Sequence, residues 1–241
     1  MEAVQSYFNE YIQPLQFHGY QLVITGPIAS GKSTLIHELS RLFASRSMYV
    51  VKEYLDNDPA FGQQLLSKFI NKSISPMTMQ SAIIDSFESQ MPSNADLVLY
   101  ERIPDDNLLV FSNIAQSLGQ LSAQEFNLLH DRTRAMDLKY QLPSYFQHSN
   151  CFMRLSPAKV AQQLLVILRT MHADIRRGQM HRIVGLSVNI TLCKSRLNTR
   201  QRQDENKYSD SYLQQIITTY ERIYTQLEYQ LPINISNLCV V

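Results

Sequence analysis

Residues 22–39, "LVITGPIASGKSTLIHEL", carry the strongest indication of the fold. This stretch begins with the apolar run of a buried strand, passes through a loop with two glycines, and continues with apolar residues at helical spacing. Inside it Gly26, Gly31, Lys32 and Ser33 fit the pattern G-x-x-x-x-G-K-[ST] of a phosphate-binding P-loop. Because the flanking strand and helix are both present, the match predicts a nucleotide site rather than a chance coincidence.

The chemistry of this loop follows from its backbone. Glycines let the chain curl so that successive N–H groups point at an anion, and the helix N-terminus adds its dipole. Lys32 is expected to reach the β- and γ-phosphates, and the Ser33 hydroxyl to hold Mg²⁺. The residues of the loop expected to bind the nucleotide are Gly26, Pro27, Ile28, Ala29, Ser30, Gly31, Lys32, Ser33 and Thr34. The motif alone does not separate an ATPase or GTPase from a kinase for small molecules.

The composition is that of an ordinary globular protein. Of its 241 residues 44% are apolar, and the formal net charge is +1. We therefore expect a single α/β domain over residues 1–241. With so small a net charge, we expect no broad positively charged surface that would bind nucleic acid. Cys151, Cys193 and Cys239 are too far apart for a metal motif or a disulfide framework, which favours a reducing compartment. Since the sequence has no secretory signal and no run of about 18 apolar residues, no membrane partner is expected.

Strands alternate with helices along the chain, which predicts a parallel sheet covered by helices on both faces. The predicted strands are residues 20–25, 48–52, 95–102, the run "CFMRL" from residue 151, and residues 181–188. The final stretch "LPINISNLCVV" is a candidate for a further strand. Predicted helices cover residues 32–44, most of 61–87 with a break at 73–76, and 210–228. Another is expected to be capped by Ser156, with Pro157 at its first position and Gly178 beyond its end.

Charged residues stand at the ends of two predicted strands. Glu53 directly follows the second strand, and Glu101 and Arg102 end the third. Ligands of parallel sheets gather at the carboxyl ends of the strands, so these residues and the P-loop point to one place. Glu53 can take a proton from an acceptor hydroxyl, Glu101 can hold Mg²⁺ directly or through water, and Arg102 can bind an acceptor oxygen or a phosphate. The alternatives are a solvated strand-end glutamate and an exposed ion pair.

An arginine-rich segment, "RLNTRQRQDE", begins at Arg196 and includes Arg200 and Arg202. Its apolar residues follow no regular spacing, and it has no apolar anchor before Leu213. This predicts a mobile loop or helix end, which would form a lid over about residues 196–207. Arginine offers rigid planar donors to phosphoryl oxygens, so this segment can close over the transferred group. The alternatives are a basic solvated turn and a nucleic-acid patch. We expect residues 181–188 to form the strand before this segment. In the alternative, "CFMRLSP" is the strand before the lid and "RTMHADIRRG" is the basic segment that forms it.

In this order, the motifs resemble those of the deoxyribonucleoside kinase family, and within it the herpesvirus-type thymidine kinases. The resemblance rests on "GPIASGKST", Glu53 in "VVKEY", Gln80 in "MTMQSAIIDSF", the Glu101-Arg102 pair with Pro104 in "YERIP", and the lid with the helix "YSDSYLQQIITTYERIY" after it. It spans most of the chain, from residue 20 to 230. In viral members the acidic residue of this pair is usually Asp and the residue after the arginine is usually His. This chain has Glu101 and Ile103 at those positions.

The resemblance implies a P-loop kinase fold with a five-stranded parallel sheet, and it implies catalytic roles. Glu53 would be the base, and Arg102 would hold the acceptor 5′ oxygen. The groups that would stabilise the transferring phosphoryl group are those of Lys32, Arg200 and Arg202. Ser33 and Glu101 would place the metal, and Arg196 would join the nucleotide site.

The resemblance also implies a base pocket. Gln80 would hydrogen-bond the edge of the base through its amide, and Ile83 and Phe111 would sandwich the base. Glu205 would contact the sugar 3′-hydroxyl when the lid closes. From the residues alone, Gln80, Ile83 and Phe111 would be ordinary helix surface or core.

The expected function is ATP-dependent phosphorylation of the 5′-hydroxyl of a deoxynucleoside in nucleotide salvage, with thymidine as the leading acceptor. ATP and Mg²⁺ are expected, with a nucleoside as the small-molecule partner, no nucleic acid, and a homodimer in the cytoplasm, or in the host cytoplasm or nucleus for a viral protein. One alternative is a nucleoside monophosphate kinase, which would need extra arginines for the acceptor phosphate. Another is a nucleotide-binding scaffold with weak or no catalysis. A GTPase is disfavoured because no N-K-x-D ends a strand.

Overall fold

The structure is a computed structural model, and it describes residues 1–92, 94–147, 151–200, 204, 207–233, 235 and 238. The strands are β1 (Tyr20–Thr25), β2 (Met48–Val51), β3 (Leu97–Glu101), β4 (Phe152–Leu155) and β5 (His181–Leu186). All pairings are parallel, and the five strands lie in the order β2-β3-β1-β5-β4. The predicted α/β fold with a five-stranded parallel sheet is confirmed.

Helices cover both faces of this sheet. They are α1 (Glu2–Tyr7), α2 (Lys32–Leu42), α3 (Tyr54–Asn57), α4 (Pro59–Ile70), α5 (Pro76–Glu88), α6 (Pro104–Asp106), α7 (Asn113–Ser117), α8 (Ala123–Tyr140), α9 (Val160–Arg176), α10 (Ile190–Arg200) and α11 (Asp210–Glu228). Two π-helical turns, Phe8–Ile12 and Asn107–Ser112, continue α1 and α6. Among the helices in the described ranges, none combines the length and the apolar character that a membrane crossing requires.

Two apolar cores lie on opposite faces of the sheet. Successive side chains of a strand point to opposite faces, so Val23 of β1 packs in one core and its neighbours Leu22 and Ile24 in the other. The first core includes apolar residues of α5, α8 and α11, and the second includes those of α2 and α9. The sheet is thus buried on both sides, which explains why β1 and β3 read as continuous apolar runs.

The register of the strands brings their carboxyl ends together. Ile24 of β1 is paired with Glu101 of β3, and Val51 at the end of β2 is paired with Tyr100. The P-loop after β1, Glu53 after β2 and Arg102 after β3 therefore share one edge of the sheet.

The strand before the arginine-rich segment is β5, as preferred from the sequence. β5 lies beside β1 and leads through a short connection into α10, whereas β4 forms the edge of the sheet. Since β4 and β5 are parallel, α9 runs back to the amino end of the sheet, and its basic terminus at Arg176 lies away from the P-loop. The alternative basic segment "RTMHADIRRG" is thereby excluded.

Several local predictions were wrong. Helix α9 begins at Val160 with Lys159 as its N-cap, so Ser156 and Pro157 do not start it. The described residues of the final stretch, 231–233, 235 and 238, contain no strand, and the remainder of that candidate strand lies outside the described residues. The first part of the arginine-rich segment does have an apolar anchor. It forms the end of α10, where Leu197 packs with Cys193, Leu213 and Ile217.

Candidate active site

The P-loop joins β1 to α2. Its two motif glycines have positive backbone φ angles, which residues with a side chain rarely adopt. Gly26 has φ +145° and Gly31 has φ +107°. A Cβ atom on Gly26 would lie 2.6 Å from the carbonyl oxygen of Leu186, at the end of β5. Glycine is therefore required at Gly26 both by the backbone and by the neighbouring strand.

Lys32 begins α2, and its side chain is buried under the loop. Its Nζ donates hydrogen bonds to the carbonyl oxygens of Gly26 at 3.3 Å and Pro27 at 3.0 Å. Burial, and then the nearby Arg102 charge, lower the pKa of Lys32 to about 8, although Glu53 and other carboxylates act in the opposite direction. The ammonium group thus lies where an anion would relieve its unfavourable environment.

Ser33 and Glu101 bring two oxygen ligands together. The Ser33 hydroxyl donates a hydrogen bond of 2.8 Å to Oε1 of Glu101, at the end of β3. Burial, and then the Glu53 carboxylate, raise the pKa of Glu101. The described ranges hold no cluster of three or more His, Cys, Asp or Glu that could bind a metal alone. A hydroxyl and one carboxylate nevertheless fit Mg²⁺, which commonly takes its other ligands from water and nucleotide phosphates.

Arg102 and Glu53 meet beside these groups. Arg102 Nε lies 3.7 Å from Glu53 Oε1, and the guanidinium carbon is 4.9 Å from the centre of the Phe111 ring. Burial is the largest single influence and opposes the charge of Arg102, but Glu53 together with Tyr220, Asp106 and Glu101 holds the pKa of Arg102 above its ordinary value. The backbone of Arg102 has φ +70°, and its N–H donates to the Ile24 carbonyl at 3.1 Å. This uncommon conformation places a buried cation at the end of β3.

A pocket with about 720 Å³ of empty space opens next to this pair. It is lined by Ile28, Ala29, Lys32, Glu53, Tyr54, Leu55, Phe69, Met79, Gln80, Ile83, Phe87, Glu101, Arg102, Asn107, Phe111, Arg200, Tyr208 and Tyr212. Its walls are mainly apolar or aromatic, with charged groups concentrated near the P-loop. This is the usual character of a small-molecule site.

Gln80, Ile83 and Phe111 all line this pocket. Gln80 is buried, and its Oε1 atom has no hydrogen-bond partner within the described part of the chain. A buried amide oxygen without a partner is costly unless a ligand or water satisfies it. Gln80 is therefore neither ordinary surface nor filled core, and its unpaired acceptor belongs to a surface that a ligand can reach.

Sequence reasoning missed Asn107, which follows α6. Its side chain is buried, lines the same pocket, and has an Nδ2 atom without a hydrogen-bond partner among the described residues. The sequence contained one signal, a polar residue at the start of the apolar run "NLLVF". Tyr54, Tyr208 and Tyr212 were also missed, because isolated tyrosines carry no motif.

Helix α10 brings two of the predicted arginines to the P-loop. Arg196 Nη1 donates hydrogen bonds of 2.9 Å to the carbonyl oxygens of Ala29 and Ser30. Arg200, the last residue of α10, lines both the pocket and a second groove formed by Gly31, Ser33, Thr34 and other residues beside the loop. Arg202 and Glu205 lie outside the described residues.

The family model described as deoxynucleoside kinase matches residues 22–177. This range includes the P-loop and the residues after β2 and β3, and it ends before β5 and α10. No curated protein sequence matches the chain.

Similar solved structures include deoxyadenosine kinase from M. mycoides. Its structure with bound dATP has 16% sequence identity to this chain and a TM-score of 0.58. The match covers 90% of this chain and 94% of the deoxyadenosine kinase chain. Its structure with the products dCMP and a flexible dCDP gives the same four values. The structure with dCTP has the same identity, 16%, the same coverages, 90% and 94%, and a TM-score of 0.57. This likeness shows that the two proteins share a fold.

Proposed function

The chain belongs to the deoxynucleoside kinase family, and we propose that it transfers the γ-phosphoryl group of ATP to the 5′-hydroxyl of a deoxynucleoside, with thymidine as the leading acceptor. Nucleoside phosphorylation is the activity of this family. The observation that carries the proposal is the meeting of Glu53 and Arg102 at one end of an apolar pocket, next to Lys32 of the P-loop. A hydroxyl placed between the carboxylate and the loop would face a γ-phosphate held there.

In the proposed reaction the proton of the acceptor 5′-hydroxyl passes to the Glu53 carboxylate. The 5′ oxygen forms a bond to the γ-phosphorus as the bond from that phosphorus to the β–γ bridging oxygen breaks, and ADP leaves. Arg102 orients the acceptor oxygen, while Lys32 and Arg200 neutralise charge on the phosphoryl oxygens. Ser33 and Glu101 would hold Mg²⁺, which supplies charge neutralisation to the phosphates when bound. Positioning and electrostatics carry most of such a transfer, because the phosphoryl group needs little covalent help.

The pocket supports a planar base as the far part of the acceptor. Gln80 offers a carbonyl and an amide N–H₂ side by side, which match the N3–H and O4 edge of thymine. Ile83 and Phe111 would flank the ring, and Asn107 would add a second amide. Gln80 and Asn107 can each present a donor or an acceptor, so the same amides also suit the amino edge of adenine or cytosine. Deoxyadenosine is therefore the second candidate acceptor, and the similar M. mycoides structures are of a deoxyadenosine kinase.

The test is a screen with radiolabelled ATP against the four deoxynucleosides and thymidine monophosphate. The proposal expects labelled monophosphate from at least one deoxynucleoside, with thymidine preferred. Label on thymidine monophosphate alone would favour the monophosphate kinase alternative. No turnover above background with any acceptor would favour the catalytically weak scaffold.

A further inference from the structure

Arg102 is a long side chain at the wall of the pocket, and its guanidinium must be held in place to act on an acceptor. Its Nε atom has no hydrogen-bond partner in the described part of the chain and stands 3.7 Å from the Glu53 carboxylate, beyond normal hydrogen-bond length. Among the described residues, the hydrogen-bond acceptor of the Arg102 guanidinium is Tyr220. Arg102 Nη1 donates to the Tyr220 hydroxyl oxygen at 3.3 Å. Tyr220 lies on α11 and is fully buried behind Arg102, where it does not line the pocket.

A buried polar network lies close to the Tyr220 hydroxyl, since Thr25 and Asp106 both influence its pKa. Asp106, at the end of α6, accepts hydrogen bonds from the Thr25 hydroxyl at 2.7 Å and the backbone N–H of Ile103 at 2.9 Å. The Tyr145 hydroxyl lies 2.8 Å from the same Asp106 carboxylate. Burial raises the pKa of Tyr220 well above its ordinary value although the Arg102 charge acts in the opposite direction, so the hydroxyl keeps its proton and its oxygen can accept from Arg102.

This network connects three parts of the site. Thr25 is the last residue of β1 before Gly26 of the P-loop, and Ile103 directly follows Arg102. Tyr220 adds α11, the helix that follows the arginine-rich segment in the chain. A buried polar network whose members satisfy one another holds its groups in a single arrangement.

We propose that Tyr220 is a positioning residue, which holds the Arg102 guanidinium against Glu53 and Phe111 so that it meets the acceptor 5′ oxygen. It acts through Arg102 and does not touch the substrate. The catalytic part of this proposal rests on the proposed kinase function, whereas the structural part, that Tyr220 fixes the guanidinium, does not.

Tyr220→Phe removes the acceptor oxygen and keeps the ring. Tyr224→Phe is the matched control, because Tyr224 lies one turn further along α11, is equally buried, and has a hydroxyl without a hydrogen-bond partner among the described residues. Both variants lose one buried oxygen, so both are expected to fold. Thermal unfolding checks this, and all assays run below the lower midpoint.

The first measurement needs no substrate. The ¹H–¹⁵N signals of the Arg102 guanidinium, assigned by their absence in Arg102→Lys, report whether its rotation is restricted. We expect restricted signals in the parent and in Tyr224→Phe, and averaged or broadened signals in Tyr220→Phe. Restricted signals that persist in Tyr220→Phe would overturn the proposal.

The second measurement is steady-state kinetics with the nucleoside that the parent phosphorylates best. A hydrogen bond to a charged group predicts that Tyr220→Phe lowers kcat/KM for the acceptor about tenfold, with the KM for ATP and the Tyr224→Phe enzyme unchanged. In an Arg102→Lys background the same Tyr220→Phe substitution should cost little more, since Tyr220 acts through Arg102. An equal loss in both tyrosine variants, or a full tenfold loss in the Arg102→Lys background, would contradict the role. A parent without nucleoside kinase activity but with the expected guanidinium signals would refute the proposed function and leave the structural link standing.

Discussion

The Ser33 hydroxyl donates a hydrogen bond of 2.8 Å to Oε1 of Glu101, and this contact joins the phosphate loop to the end of the neighbouring strand β3. The two side chains come from residues 68 positions apart in the sequence. We propose that they hold a nucleotide-bound cation, and burial keeps the carboxylate away from competing water.

Glu101→Gln keeps the size of the side chain and removes its charge. We expect the Mg²⁺ concentration that gives half-maximal velocity to rise about tenfold or more, because Mg²⁺ prefers anionic oxygen ligands. The measurement is velocity against Mg²⁺ concentration at saturating nucleotide and acceptor. Glu38→Gln serves as the control, since Glu38 pairs with Arg41 on the surface of the same P-loop helix. An unchanged Mg²⁺ dependence in Glu101→Gln would place the metal elsewhere.

Glu53→Gln keeps the shape of the proposed base but cannot accept the proton. Loss of a general base commonly lowers the rate by about 10²–10⁴, so we expect kcat to fall within that range. Acceptor affinity, measured by calorimetry without ATP, should change much less. A Glu53→Gln enzyme that turned over at nearly the parent rate would remove Glu53 from the chemistry.

Gln80→Leu puts an apolar group in place of the buried pocket amide, whose Oε1 has no hydrogen-bond partner among the described residues. A base edge left unpaired in a closed site costs about 1–3 kcal/mol, so acceptor affinity should fall correspondingly while ATP affinity is unchanged. The measurement is separate titration of each substrate. Gln214→Leu, an exposed glutamine of α11 that bonds Thr218, is the matched control. Equal acceptor affinity in Gln80→Leu and the parent would mean that the base binds elsewhere.

The lowered pKa of Lys32 predicts a pH dependence of nucleotide use. Its value of about 8 in the empty site means that the free enzyme loses the ammonium charge as the pH rises through that value. Because kcat/KM reports the free enzyme, kcat/KM for ATP should decline above about pH 8. Saturating ATP would favour the charged lysine and move the decline in kcat to higher pH. A flat kcat/KM profile to about pH 10 would show that Lys32 keeps its proton throughout.

Arg200→Ala removes a cation that lines both the pocket and the groove beside the P-loop. We expect turnover to fall by about an order of magnitude or more, since the guanidinium would contribute most as charge spreads over the phosphoryl oxygens. Thymidine binding without ATP should change little. Arg202→Ala is predicted to behave in the same way. Lys194→Ala removes an exposed cation from the same helix as Arg200, where it pairs with Asp210 of α11, and this variant should be close to the parent.

The nucleic-acid alternative for these arginines predicts a different pattern. Arg200→Ala would then keep its kinase turnover and bind an oligonucleotide more weakly, with the difference largest at low salt. Measuring both properties on the same preparations separates the two hypotheses.

Elements with strong local patterns could be predicted from the amino-acid sequence. The bounds of β1 and α11 agree with the sequence prediction, because an uninterrupted apolar run and a regular helical spacing are each specified by neighbouring residues. The P-loop and its Lys32 and Ser33 followed from a motif whose spacing is fixed by backbone geometry. Glu53, Glu101 and Arg102 could be brought to one edge because parallel strands end at the same side of a sheet.

Contacts between distant parts of the chain depend on the packing of the whole molecule. This packing places β5 beside β1 with β4 at the edge, brings Gln80 and Asn107 to the wall of one pocket, and sets Tyr220 behind Arg102, which is 118 residues away. No local pattern specifies such pairs, because a buried polar group is satisfied by whichever partner the packing of the whole chain brings within hydrogen-bond distance. Local sequence therefore supplied the reactive groups, and the packing of α11 against the sheet decided which buried hydroxyl holds one of them.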